Sequence, residues 1–199
     1  MTAGRKRTFD KDEALVKAMH VFWENGYSGT SLSDLTAALG INKPSMYAAF
    51  GNKEELFAAA LEYYLIHYRG PLITKLTDPP DAPLAQRLQA FLLGVVDVVN
   101  CPDSPKGCFY TKTCYESDSA AVPEEITTSL HMIERETVQN LVALLKTEQA
   151  NGQLSADADL KTLARYLMTI MTGLSVQAKN GASKAELKSV VEWVAKAAL

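Results

Sequence analysis

The chain has 199 residues, enough for one large domain or two modest ones, and its 47% apolar and 22% charged residues describe a folded protein with real cores. No stretch approaches the roughly 18–20 uninterrupted apolar residues that a bilayer span needs. Residues 1–12 lack the apolar run of a secretory signal, and three cysteines (Cys101, Cys108, Cys114) do not make a secreted disulfide framework, so membrane, secreted and collagen-like classes are excluded and a reducing cytoplasm is expected.

The net charge of -3 hides an asymmetry: residues 1–53 carry seven basic and five acidic side chains, the remainder thirteen basic and eighteen acidic. A positive head on an acidic body suits a reader of a polyanion joined to a second function.

Helical periodicity dominates, and no segment alternates as a strand would. A first helix is expected from about residue 10 to Asn25, with apolar positions at threes and fours, acidic Asp12 and Glu13 in its first turn, and Asn25-Gly26 as its stop. Thr30 or Ser31 caps a second helix over residues 32–39, where Asp34 completes a capping-box-like pattern and Gly40 ends the run. Asn42 caps a third short helix with Pro44 in its first turn, where a missing N–H costs nothing. A fourth runs from Lys53 to about Arg69, and the breaker cluster at residues 78–83 reads as a loop. Further helices are expected over residues 84–100, 108–116, 123–151, 157–180 and from 183 to the C-terminus, with Glu186 at a capping-box position. The fold class is all-α, with about nine helices.

The informative stretch is residues 30–50, two short helices joined by a tight turn through Gly40: a helix-turn-helix. Leu35, Ala38 and Leu39 give the first of these helices a thin apolar face, Ile41 plugs the angle, and Met46 and Phe50 pin the second helix to the core. The other face carries Asn42, Lys43, Ser45 and Tyr47, small polar groups with one cation and one phenol. Such groups suit phosphates and base edges when a helix enters a major groove.

This segment resembles the N-terminal domain of TetR-family transcriptional regulators, over roughly residues 8 to 60, with Thr30, Gly40, Tyr47, Phe50, Lys53 and Leu56 at the family's spacing. The resemblance implies an N-terminal three-helix DNA-binding domain at residues 8–60 and a C-terminal helical domain for effector binding and dimerisation at residues 61–199. It implies a homodimer, paired through the last two helices (about residues 157–198), that binds a palindromic double-stranded operator. The expected action is repression, relieved when a small molecule enters the body and the helix from Lys53 to Arg69 transmits the change. By the same resemblance, Thr30 and Ser31 anchor a phosphate, Lys43, Pro44 and Ser45 face bases or adjacent backbone, Tyr47 and Lys53 bind phosphate, and Arg5, Lys6 and Arg7 form a basic arm.

In the body, Phe91, Tyr110, Cys114, His131 and Tyr166 are the candidate lining of a ligand pocket between helices. Cys101 and Cys108 flank a loop containing proline and glycine, with Lys106 near enough to favour thiolate, which makes them candidates for redox or electrophile sensing. The cysteine spacing, with one distant histidine, lacks the paired pattern of a zinc site. No nucleophile constellation, phosphate loop or dinucleotide fingerprint stands in a suitable context, so neither an enzyme nor a cofactor is expected. Two alternatives stay open: a helical carrier or adaptor that does not bind DNA, and a cysteine-based sensor on the same fold.

Overall fold

The computed structural model describes residues 9–197, and among them all regular structure is helical. Helix α1 (Lys11–Gly29) starts at Asp10, whose carboxylate accepts the backbone N–H groups of Asp12 and Glu13 at 2.9 and 3.0 Å. It does not end at Asn25-Gly26. Gly26 takes φ 78° and kinks the chain, and a last turn continues to Gly29. Helices α2 (Leu32–Leu39) and α3 (Lys43–Phe50) follow, capped by Ser31 and Asn42. Between them Gly40 sits at φ 68°, a left-handed conformation that glycine adopts without steric cost. Ser31 and Asp34 form a reciprocal capping box, and so do Asn52 and Glu55 at the start of α4 (Lys53–Tyr64).

The fourth helix does not stop at Arg69. Leu65–Arg69 winds as a π-turn, and α5 (Gly70–Thr77) continues it with right-handed helical angles at both junctions. Pro71 is the physical reason. A proline inside a helix has no N–H to give and its ring crowds the carbonyl four residues back. One wider turn, in which the Gly70 N–H reaches Leu65, lets the rod pass the proline without breaking. Sequence periodicity registers the proline and not the wider turn.

Beyond the proline-rich loop, α6 (Leu84–Val99), α7 (Phe109–Glu116), α8 (Glu124–Ala150), α9 (Leu160–Lys179) and α10 (Lys184–Ala197) build the body. Helix α9 starts at Leu160 and not at Asp157: Asp159 is its cap, while the Asp157 carboxylate pairs with the Ser155 hydroxyl in the preceding turn. With α4, the π-turn and α5 taken as one rod, the described residues form nine helical rods.

Two cores hold the molecule. The first joins α1–α4 to α7 and the start of α8, and is rich in rings: Phe22, Trp23, Tyr27, Phe50, Phe57, Tyr64, Phe109 and Tyr110. Phe57 meets Phe22 edge-on at 4.9 Å and Phe109 at 5.4 Å, and Trp23 meets Tyr64 edge-on at 5.0 Å. The second core, across α5, α6, α8, α9 and α10, is leucine and valine with Phe91 as its one buried ring. At its edge Arg87 is buried with Glu148 at 2.6 Å and also donates to the carbonyls of Leu76 and Ala82, tying the proline-rich loop to α8.

Candidate nucleic-acid interface and effector cavity

Helix α3 owes its orientation to two side chains. Met46 and Phe50, four residues apart, are buried in the aromatic core, which turns the opposite face outward. Lys43, Pro44 and Tyr47 are exposed there, Tyr47 with 44% of its surface, and Ser45 is half-buried. Asn42 is committed to the cap: its side-chain oxygen accepts the Ser45 N–H at 2.9 Å. The N-terminal end of α3 thus presents a cation and a phenol on a rigid backing, an arrangement suited to a polyanion in a groove.

The remaining candidates divide. Ser31 is exposed at the α2 N-terminus, its hydroxyl accepting the Asp34 N–H. Thr30 points inward: it is 2% exposed and its hydroxyl donates to the Gly26 carbonyl at 2.6 Å, satisfying an acceptor that the kink sets free. Lys53 is half-buried with its ammonium over the Tyr27 ring at 4.1 Å, and burial lowers its pKa against the pull of Glu54 and Glu116. Arg5, Lys6 and Arg7 lie outside the described residues.

Next to Lys53 is a head-to-body contact that sequence reasoning missed. The Tyr27 hydroxyl donates to Glu54 at 2.6 Å, which holds that carboxyl below its ordinary range, and the Tyr27 N–H donates to Glu116 of α7 at 2.9 Å. A side chain at Gly26 would collide with the Glu116 carboxylate. Nothing local in the sequence marks Glu116, because its partner lies 89 residues away.

The five candidate pocket residues are not brought into one cavity. His131 is exposed on α8 and Tyr166 is half-buried on α9, and neither borders the cavities described here. Tyr110 and Cys114 edge an open groove beside Glu134 and Arg165; burial is the main cause that raises both the Tyr110 phenol and the Cys114 thiol above their ordinary pKa values. Phe91 lines a cavity of about 300 Å³ between α5, α6, α8 and α9, together with Arg69, Ile133, Thr137, Leu141 and Met171. Arg69, the last residue of the π-turn, was also missed. Its signal was a lone arginine closing a long amphipathic run just before Gly70-Pro71.

All three cysteines are free and half-buried. Cys108 caps α7, its sulfur accepting the Thr111 N–H at 3.4 Å and the Tyr64 hydroxyl at 3.1 Å. Among the described residues no cluster of His, Cys, Asp or Glu suits a metal ion, and no helix is long and apolar enough to cross a membrane.

An all-helical fold with a capped helix-turn-helix held on a larger helical body defines the class of ligand-responsive DNA-binding regulators. Residues 14–60 match the family described as bacterial regulatory proteins, tetR family, and residues 85–194 match the tetracyclin repressor-like C-terminal domain. The HTH-type transcriptional repressor ComR of Escherichia coli is 33% identical, over 94% of this chain and 88% of ComR. The uncharacterized HTH-type regulator YezE of Bacillus subtilis is 31% identical, over 95% of this chain and 96% of YezE. Among solved structures, a cysteine mutant of the TetR family transcriptional regulator CifR, complexed with double-strand operator DNA, superposes with a TM-score of 0.86 at 35% identity, covering 97% of this chain and 99% of that one. The chain belongs to the TetR family: it is a DNA-binding transcriptional regulator and not an enzyme.

Proposed function

We propose that the protein is a repressor which binds a palindromic operator as a homodimer and leaves it when a small molecule occupies the body. The observation that carries this reading is the outward face of α3, with Lys43, Pro44, Ser45 and Tyr47 backed by buried Met46 and Phe50. Residues 8–60 read the DNA and residues 61–199 sense and dimerise. Lys43 and Tyr47 contact phosphate or base edges, the α2 N-terminus at Ser31 takes a phosphate, and Lys53 adds its charge at the rim. Asn42 and Thr30 hold the two turns that aim these groups.

The dimer forms through α9 and α10. On α10, Trp193 and Val190 are exposed at 72% and 47% while Leu187 and Val191 of the same helix are buried, so the helix has a second apolar face without a partner in its own subunit. On α9, Gly173 is exposed with open space above it, which suits close approach of another backbone. Trp193→Asp is expected to convert the dimer to monomers in analytical ultracentrifugation and to weaken operator binding.

Release runs through the rod. An effector against the π-turn displaces α4, which packs on α1, and two reading heads that no longer match the half-site spacing lose the operator. The test is capture of genomic fragments by the purified protein, sequenced at two salt concentrations. A palindrome surviving the higher salt supports the reading. Recovery of sequence-indifferent, salt-labile DNA alone overturns it.

A second reading has its own observation: the bond from Tyr64 on α4 to Cys108 on α7. Modification of that thiol would break a contact between body and rod, and the operator complex of CifR cited above is that of a cysteine mutant. Loss of operator binding on alkylation, abolished in Cys108→Ser and kept in Cys101→Ser, supports this route; equal sensitivity of all three proteins contradicts it.

A further inference from the structure

We infer that the body cavity takes a small apolar carboxylate, held by Arg69 through a two-point contact. This deepens the proposed function and rests on its release step. Arginine carries five N–H donors in a planar fork that matches a carboxylate. Among the described residues Arg69 uses only one of them on a protein acceptor, the Thr137 hydroxyl at 2.7 Å, and it forms no ion pair. Thr137 accepts that one bond while its own proton goes to the Ile133 carbonyl at 2.6 Å, so it holds the guanidinium by a single N–H. From below, the Tyr110 ring supports the guanidinium at 5.1 Å. A half-buried, positioned cation with most of its donors unused is a site built for an anion.

The rest of the lining sets the other half of the ligand. Phe91, Ile133, Leu141, Leu144 and Met171 are apolar, and Glu136 and Asn140 sit exposed at the rim. A volume of about 300 Å³ stands at the lower end of small-molecule sites. Charge fixes the direction in which the ligand lies. Toward the head the space between α4 and α8 is edged by Glu54, Glu55, Glu62 and Glu125, which repel an anion, while Arg69 is the one basic residue among those lining either space. The carboxylate therefore sits at the π-turn and the chain points into the leucines of the body.

That position gives the ligand leverage. Arg69 ends the wide turn around Pro71, the place where the rod departs from α-helical geometry. A carboxylate drawing the guanidinium toward the cavity acts on the segment that joins α4 to the body.

The test measures binding of hexanoate and octanoate against hexanol, octanol and octylamine by calorimetry, with the wild type, Arg69→Gln and Arg69→Lys. Each carboxylate is expected to bind the wild type about 10- to 100-fold tighter than its alcohol. That preference disappears in Arg69→Gln and is reduced in Arg69→Lys, with thermal melts confirming that both variants fold. Equal affinity for acid and alcohol in the wild type, no binding of any acid, or an undiminished preference in Arg69→Gln overturns the inference. Operator release is read separately. An acid that binds through Arg69 without releasing DNA contradicts the release step and leaves the carboxylate site standing. Specific operator binding by a protein to which none of the acids binds contradicts only this inference.

Discussion

The two cores of this protein solve different problems with different side chains. The head and its junction are packed with rings whose edges meet faces, from Phe22 through Phe57 to Phe109 and from Trp23 to Tyr64. The body is packed with leucine and valine around a cavity. Ring contacts are directional, so they fix the angle between helices as well as their separation. Aliphatic contacts are not directional and re-form after small shifts, which suits a wall that must close around a ligand. The head is built for geometry, and the body for accommodation.

The largest expected effects come from each core's own weak point. Phe57→Ala removes a fully buried ring that touches Phe22, Tyr27 and Phe109, and is expected to cost about 3–5 kcal/mol in urea unfolding. Operator affinity should fall with it. In the body, Arg87→Met leaves Glu148 buried without its partner and is expected to cost a similar ~3–5 kcal/mol, most of it recovered in the Arg87→Met, Glu148→Leu double variant. A double variant as unstable as the single one would show that the carbonyls of Leu76 and Ala82, rather than the charge pair, set the cost. By contrast Met171→Leu, a volume-conserving change in the aliphatic wall, should cost less than about 1.5 kcal/mol and leave DNA binding alone.

An effect of intermediate size sharpens the junction. Gly26→Ala places a methyl group against the Glu116 carboxylate at a residue with φ 78°. It is expected to destabilise by about 1–3 kcal/mol and to alter operator affinity beyond what the stability loss explains. The smallest is a pH dependence at the edge of the aromatic core, where half-buried His20 meets Trp23. Burial lowers the His20 pKa from its ordinary 6.5, so the folded state favours the neutral ring. Its contribution is present above pH 6.5 and fades as pH falls through the folded value, and His20→Gln should flatten that shallow acid slope in thermal melts.

The sequence made the head far more legible than the body, for a physical reason. Caps and turns are local: Ser31 with Asp34, Gly40 and Asn42 each declare themselves within four residues, and the structure places each at the helix end where it was expected. The candidate effector cavity is assembled from α5, α6, α8 and α9, so no window of sequence contains it. Residue type alone gathered Phe91, Tyr110, Cys114, His131 and Tyr166, but their helical phases send His131 to solvent and Tyr166 away from Phe91. The inward turn of Thr30 is hidden from sequence reasoning for a related cause, since the kink at Gly26 creates a carbonyl that claims its hydroxyl. Arg69 is positioned by Pro71, two residues on, through a π-turn that a 3.6-residue period cannot express.

The most direct test of the account is fluorescence anisotropy on the recovered operator, comparing the wild type with the Lys43→Ala, Tyr47→Ala double variant across a salt series. The outward face of α3 predicts a loss of roughly 100-fold or more with an unchanged melting temperature and a shallower salt slope. Unchanged affinity in a folded, dimeric double variant would contradict it, because the reading surface would then lie elsewhere on the head.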